Sequence, residues 1–254
     1  MSSETKLPFW ETINFSYGFL FSNITSFIKL FWLVGSISYG INVAIAYFYS
    51  SEYQFIGHLV QYLASVIFAV GWHRKIILGQ PDPAISSYVR FTKVELKFFI
   101  MGGLVSSIMF IPLIALSAIA GASAGPAGAF VAALVTIIMS GFVMARLLLL
   151  FPIIAIGEKI SIREVWKATS GNSARIYFGI AISMLPFSII SNFGISFTPL
   201  ILKNFGLIAG ITVEFSALVA LFLGVASIAG FASRAYQTLC SQVLESNAEE
   251  PLEL

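Results

Sequence analysis

Apolar residues along this chain fall in long unbroken runs. Six of these runs reach the about 20 residues that a helix needs to cross a hydrocarbon core about 30 Å thick. They extend from Ile28 to Tyr49, Phe55 to Ile77, Phe98 to Ala120, Ala127 to Phe151, Ile176 to Leu200 and Leu207 to Ala232. Backbone amides facing lipid find no water to bond, so helices are expected. Closed barrels need short alternating segments, which this pattern lacks. The pattern predicts an all-α polytopic membrane bundle of six transmembrane helices.

The polar stretches between the runs alternate in charge. Arg74, Lys75, Arg90, Lys93 and Lys97 lie between the second and third runs, and Lys159, Arg163, Lys167 and Arg175 between the fourth and fifth. Ser50 to Gln54, Gly121 to Pro126 and Ile201 to Gly206 contain one basic residue, Lys203. With Lys6, Lys29, Arg146 and Arg234 counted on the basic side, 13 of the 14 Lys and Arg residues share one face. Basic loops stay inside, which puts both termini in the cytoplasm. An even number of spans requires the termini to share a side, so the two arguments agree.

The basic connections carry further elements. Ser161 and Glu164 form a Ser-x-x-Glu capping box, followed by Ile162, Val165, Trp166 and Thr169 on one side of a short amphipathic helix that stops at Gly171-Asn172. Asp82-Pro83 opens a similar segment with a cap residue and a proline at the first helical position. Pro8 to Asn23 is rich in Phe, Trp and Tyr, with Glu11 its only charge, which suits headgroup depth. The layout implies three repeats, 8–79, 80–157 and 158–240, each an interfacial helix followed by a transmembrane hairpin. Each returning helix carries an arginine near its cytoplasmic end: Arg74, Arg146 and Arg234. Pro112 and Pro186 are expected to kink the third and fifth helices, with Gly35 and Gly40 in the first instead. Residues 1–246 form a single transmembrane domain in this reading, and 247–254 an acidic cytoplasmic tail.

Composition sharpens the picture by exclusion. Of 254 residues, 58% are hydrophobic and 10% charged, against roughly 25% charged in ordinary soluble domains. The single cysteine, Cys240, rules out an intrachain disulfide, and the two histidines, His58 and His73, stand at opposite ends of one run. No metal site and no cofactor is therefore expected. The net charge of +2 gives no reason to expect nucleic acid. His-Glu-x-x-His and Gly-x-Gly-x-x-Gly are both missing, so the chain is not expected to be an enzyme.

Two groups of residues are candidates for binding. Glu214 is the only carboxylate within a predicted span, and an ionisable group there is by default a site. His58 and Gln61, one turn apart on the second helix, share the outer half with Asn42 and Asn192. Convergence of these five would line a polar cavity open to the outer face, with Glu214 and His58 as a proton or cation relay. The alternative is that Glu214 and His58 are hydrated at the interface and the amides bond between helices. Arg74, Arg146 and Arg234 could form a ring for lipid phosphate or another anion, or each could snorkel to the headgroups and set helix depth. Arg146 is the least free to reach water, because apolar residues continue beyond it from Leu147 to Ile156.

The runs Gly71-Trp72-His73-Arg74-Lys75-Ile76-Ile77-Leu78-Gly79-Gln80 and Ala145-Arg146-Leu147 through Phe151-Pro152 to Ser161–Asn172 resemble uncharacterised bacterial six-helix inner-membrane proteins. That group is similar in layout to YciC-like proteins and to the membrane domain of some glycerophosphodiester phosphodiesterases. The resemblance implies a bacterial inner-membrane location and a role beside lipid or envelope metabolism, but not the phosphodiesterase activity, whose domain is missing here. The expected function is non-enzymatic: transport-related, or envelope and lipid homeostasis. The alternative is a scaffold that organises lipids or partner proteins. A membrane-embedded enzyme acting on lipid headgroups would need carboxylates or histidines clustered at the cytoplasmic interface. Membrane lipids, with a protein partner or a second copy, are the expected partners.

Overall fold

The computed structural model describes residues 6–48, 51–79, 91–158 and 161–240. The segment opening at Asp82-Pro83 and the acidic tail lie outside the described residues. All regular structure among the described residues is helical: α1 (Phe9–Ser22), α2 (Ile24–Phe48), a 3₁₀ turn (Ser51–Tyr53), α3 (Gln54–Leu78), α4 (Lys93–Leu147), α5 (Leu150–Ile156), α6 (Ile162–Ala168), α7 (Ser173–Phe205) and α8 (Leu207–Leu239). Five stretches are long and apolar enough to cross a membrane: Ile24–Ala46, Gln54–Leu78, Lys93–Ile156, Ser173–Phe205 and Leu207–Leu239. The chain is a multi-pass membrane protein built as a helical bundle.

The third and fourth apolar runs join in one stretch because the turn between them is a single residue. As one straight helix, the 55 residues of α4 would extend about 80 Å, more than twice a hydrocarbon core. Gly125 breaks it, with φ 68° and ψ −165°, a conformation open to glycine because it has no Cβ. Pro126 follows, where a proline starts a helix at no cost in hydrogen bonds. A Cβ on Gly121 would lie 3.3 Å from that of Ala129, although eight residues of straight helix would separate them by about 12 Å. Residues 93–124 and 126–147 therefore fold back on one another. Gly206, with φ 84°, turns α7 into α8 in the same way.

Local capping agrees with the boundaries. Ser161 and Glu164 form the expected box at the start of α6, each side chain holding an amide at the other's position. A second box opens α4: Thr92 accepts from the Val94 amide, and Glu95 accepts from the Thr92 amide at 2.8 Å. The first long helix starts at Ile24 rather than Ile28, because Asn23 ends α1 and leads directly into α2.

Helix α8 is the centre. It pairs with α7 along the hairpin and also packs against α1, α2, α3 and α5, whereas α4 lies to the side, on α3, α5, α6 and α7. The central position follows from small residues. Gly224, Ala226, Ser227, Ala229, Gly230, Ala232 and Ser233 are all buried, and without bulky side chains the neighbouring backbones come close. Ser16 of α1 shows this directly: its hydroxyl lies 3.0 Å from that of Ser227, and a Cβ on Gly230 would stand 3.2 Å from the Ser16 Cα. The aromatic segment Pro8 to Asn23 is thus docked on the bundle through Thr12, Ile13, Ser16 and Leu20, while Trp10 and Phe21 stay exposed.

A particularly close fit lies between α7 and α8, where a Cβ on Gly179 would overlap the ring of Phe231. That ring is fully buried and has no room to yield. Gly179→Ala is expected to destabilise the fold by about 1–3 kcal/mol through overpacking, read as a lower melting temperature in detergent. Adding Phe231→Leu should recover part of the loss. An unchanged melting temperature in the single variant contradicts this packing.

Candidate functional site

Four of the five predicted polar residues meet at one end of the bundle. On α3, Gln54, His58 and Gln61 recur at helical spacing and share a face. On α2, Tyr39, Asn42 and Ala46 do the same. Glu214 enters from α8, and Ser191 from α7. Together they line a cavity of about 450 Å³ enclosed by these four helices, a volume in the range of small-molecule sites. Gln54 and His58 are exposed at the mouth, while Gln61, Asn42 and Glu214 are half-buried.

Asn192 departs from the prediction. It is exposed, and its amide donates to the Ser188 carbonyl of its own helix at 2.7 Å. One residue is a rotation of about 100° on a helix, so when Ser191 faces the cavity its neighbour turns to lipid. Tyr39, Gln54 and Ser191 are the residues that sequence reasoning missed. Gln54 was legible, being one turn before His58 on the same face.

The polar groups divide into fixed and available ones. The Asn42 amide nitrogen donates to the Ser38 carbonyl at 2.8 Å and the Gly57 carbonyl at 3.3 Å, holding α2 against α3. The Tyr39 hydroxyl donates to the Ile211 carbonyl at 2.8 Å and lies against the Glu214 carboxylate. Among the described residues no lysine or arginine lines the cavity. The carboxylate therefore stands without a cation in a recess whose other polar groups are neutral or, at His58, near the mouth.

Beneath the cavity the bundle is filled by aromatic rings. Phe222 packs edge-on against Phe31 and Phe68, each with centroids 5.2 Å away, and Phe68 stacks on Trp72 at 5.9 Å. Phe27 and Phe19 complete the cluster around Trp72. Phe27, Phe68, Trp72 and Phe222 are almost entirely buried. The cavity is open at one end of the bundle and plugged toward the other.

The three arginines lie at that other end, each with partners of its own. Arg74 donates to the Ala155 carbonyl at 2.7 Å and pairs with the buried Glu95 at 3.6 Å. Arg146 bonds the Ser173 hydroxyl at 2.5 Å and stacks over Trp166 at 4.5 Å. Arg234, exposed, lies over the Phe15 ring at 5.3 Å. Arg74 thus joins α3 to α4 and α5, Arg146 joins α4 to α6 and α7, and Arg234 joins α8 to α1. His73, also buried here, is tied to Ser233 at 2.8 Å. Among the described residues no group of three or more His, Cys, Asp or Glu side chains could hold a metal ion.

Comparison with protein-family models, curated proteins and solved structures returns no match, so a functional reading rests on this chain's own residues.

The cavity and its plug can be probed by thiol labelling. Cys240 gives no background, since it is buried and burial pushes its thiol up to about 12, leaving little reactive thiolate at neutral pH. Gln61→Cys is expected to react rapidly with a cationic methanethiosulfonate, whereas Ser227→Cys, below the aromatic cluster, stays unreacted. Adding Glu214→Gln to Gln61→Cys should slow the cationic reagent several-fold and leave a neutral one unchanged. Equal labelling at positions 61 and 227 contradicts the plug.

Proposed function

We propose that this is a non-enzymatic, transport-related integral membrane protein whose outer cavity receives a small organic cation. The observation that carries the reading is the Glu214 carboxylate, half-buried in a cavity that no lysine or arginine lines among the described residues. Side-chain carbonyls of Gln54 and Gln61 add acceptors near it, and Val43, Ile195, Leu218 and Leu221 add apolar wall. A ligand with N–H donors on one end and a short apolar body fits this division. The plug of aromatic rings makes this the outward-facing arrangement of a site that must open alternately.

The membrane layout belongs to the same proposal. Both termini lie in the cytoplasm of a bacterial inner membrane, and six spans form three repeats of an interfacial helix and a hairpin. Supporting the six spans is the reversal of α4 at Gly125. Supporting the repeat is a cyclic relation among the arginines. Arg74 of the first unit reaches Glu95 at the start of the second unit's outgoing helix. Arg146 of the second reaches Ser173 and Trp166 of the third, and Arg234 of the third reaches Phe15 of the first. Supporting the orientation is the placement of Arg74, Arg146, Arg175 and Arg234 at the end opposite the cavity.

Butylguanidinium is a suitable probe, being always charged, rich in N–H donors and apolar at one end. Titration calorimetry on the purified protein should detect binding that Glu214→Gln weakens about ten- to a hundredfold, as expected for losing a charge-assisted hydrogen bond. Equal affinity in wild type and variant, or no binding to either, rejects the cation reading.

A further inference from the structure

A second cavity, of about 400 Å³, lies between the two halves of α4, α3 and α7. Its walls are almost wholly apolar, with Val105 and Met109 from the outgoing half of α4, Ile137 from the returning half and Ala181 from α7. Ile137 and Ala181 are exposed, so the groove opens sideways, where a bilayer would lie. We infer that this groove seats one acyl chain of an anionic phospholipid whose phosphate is held by Arg146.

The α4 hairpin stands to the side of the bundle, and the gap it leaves against α7 is not filled by its own side chains. Where α4 meets its neighbours, Gly102 and Gly141 seat the Tyr62 hydroxyl and the Tyr177 ring, where a Cβ would collide with each. Tyr62 also donates to the Phe99 carbonyl at 3.0 Å, fixing α3 to α4 at the groove's edge. An open apolar gap in a bilayer fills with hydrocarbon, since lipid tails are as apolar as leucine.

A chain alone would leave the position of its headgroup unspecified, and Arg146 supplies that. It follows Met144 and Ala145, which line the groove, and it bonds Ser173, one turn before the groove residue Tyr177. The guanidinium therefore stands at the groove's basic end, its central carbon 4.5 Å from the centre of the Trp166 ring. Among the described residues its Nε is engaged, and no hydrogen bond occupies its two Nη nitrogens, which present the paired donors that a phosphate accepts. Trp166 is partly exposed, the usual setting of a ring at headgroup depth. Lys167 beside it adds a second positive charge, and the start of α7 contributes the positive end of a helix dipole. Among the described residues Arg74 is paired with Glu95 and Arg234 lies over Phe15, which separates Arg146 from its two counterparts.

Native mass spectrometry of the full chain in detergent, delipidated and then titrated with phosphatidylglycerol, tests the inference. Wild type is expected to hold one lipid tightly. Arg146→Gln should weaken that binding at least tenfold, and so should Ala181→Trp, which fills the groove mouth without touching Arg146. Both variants are checked for the wild-type melting temperature in the absence of lipid, and where Arg146→Gln fails this check Ala181→Trp alone decides. Glu214→Gln should bind the lipid as wild type does, so failure here is distinguishable from failure of the cation site. Full binding by Ala181→Trp overturns the inference, as does competition by millimolar inorganic phosphate, which would mark a free-anion site rather than a lipid site.

Discussion

Close packing along the small-residue face of α8 is the constraint on which the rest of this structure depends. Lipid tails give helices no hydrophobic reason to associate, so contact must come from dispersion at short range and from hydrogen bonds between helices. Gly224 and Gly230, with the alanines and serines between and beyond them, let α1 and α7 approach the α8 backbone. Where small residues dominate, the core is solid. Toward the other end α8 presents Glu214 instead, the surrounding helices no longer close over it, and the cavity begins.

This gradient along one helix separates two chemistries. Toward the basic end several buried polar groups are paired within the protein: His73 with Ser233, Glu95 with Arg74 and with its own capping partners, and Tyr236 with Glu158 at 2.5 Å. Leaving such buried groups unpaired would cost about 1–3 kcal/mol each, and pairing them locks helix ends together. At the cavity end the Glu214 carboxylate meets the Tyr39 hydroxyl and otherwise faces the cavity. Arg146 is intermediate, anchored by Ser173 and Trp166 but with donors to spare beside an apolar groove.

Much of this organisation is legible in the amino-acid sequence. The apolar runs locate the helices because a hydrocarbon core demands length, and Ser161-x-x-Glu164 marks α6 because capping is local chemistry. Glu214, His58, Gln61 and Asn42 can be grouped because each lies in the half of its run away from the basic loops. What is not legible depends on helix rotation and tertiary contact. Position along the run assigns Asn192 to the cavity, although Ser191 occupies that face, a difference of one residue that hydropathy does not resolve in a helix apolar on most sides. The box at Thr92-x-x-Glu95 has a readable signal, but its pairing with Arg74 arises only when α3 and α4 meet. The arginines look equivalent by position, and their differing partners follow from where each returning helix ends.

The central claim is that the Glu214 cavity is one face of a pathway for a small organic cation. Uptake of radiolabelled butylguanidinium into proteoliposomes tests it most directly. The account predicts saturable uptake by wild type that falls to the level of protein-free vesicles in Glu214→Gln. Uptake that is equal in wild type and Glu214→Gln, or no greater in wild type than in empty vesicles, would contradict it.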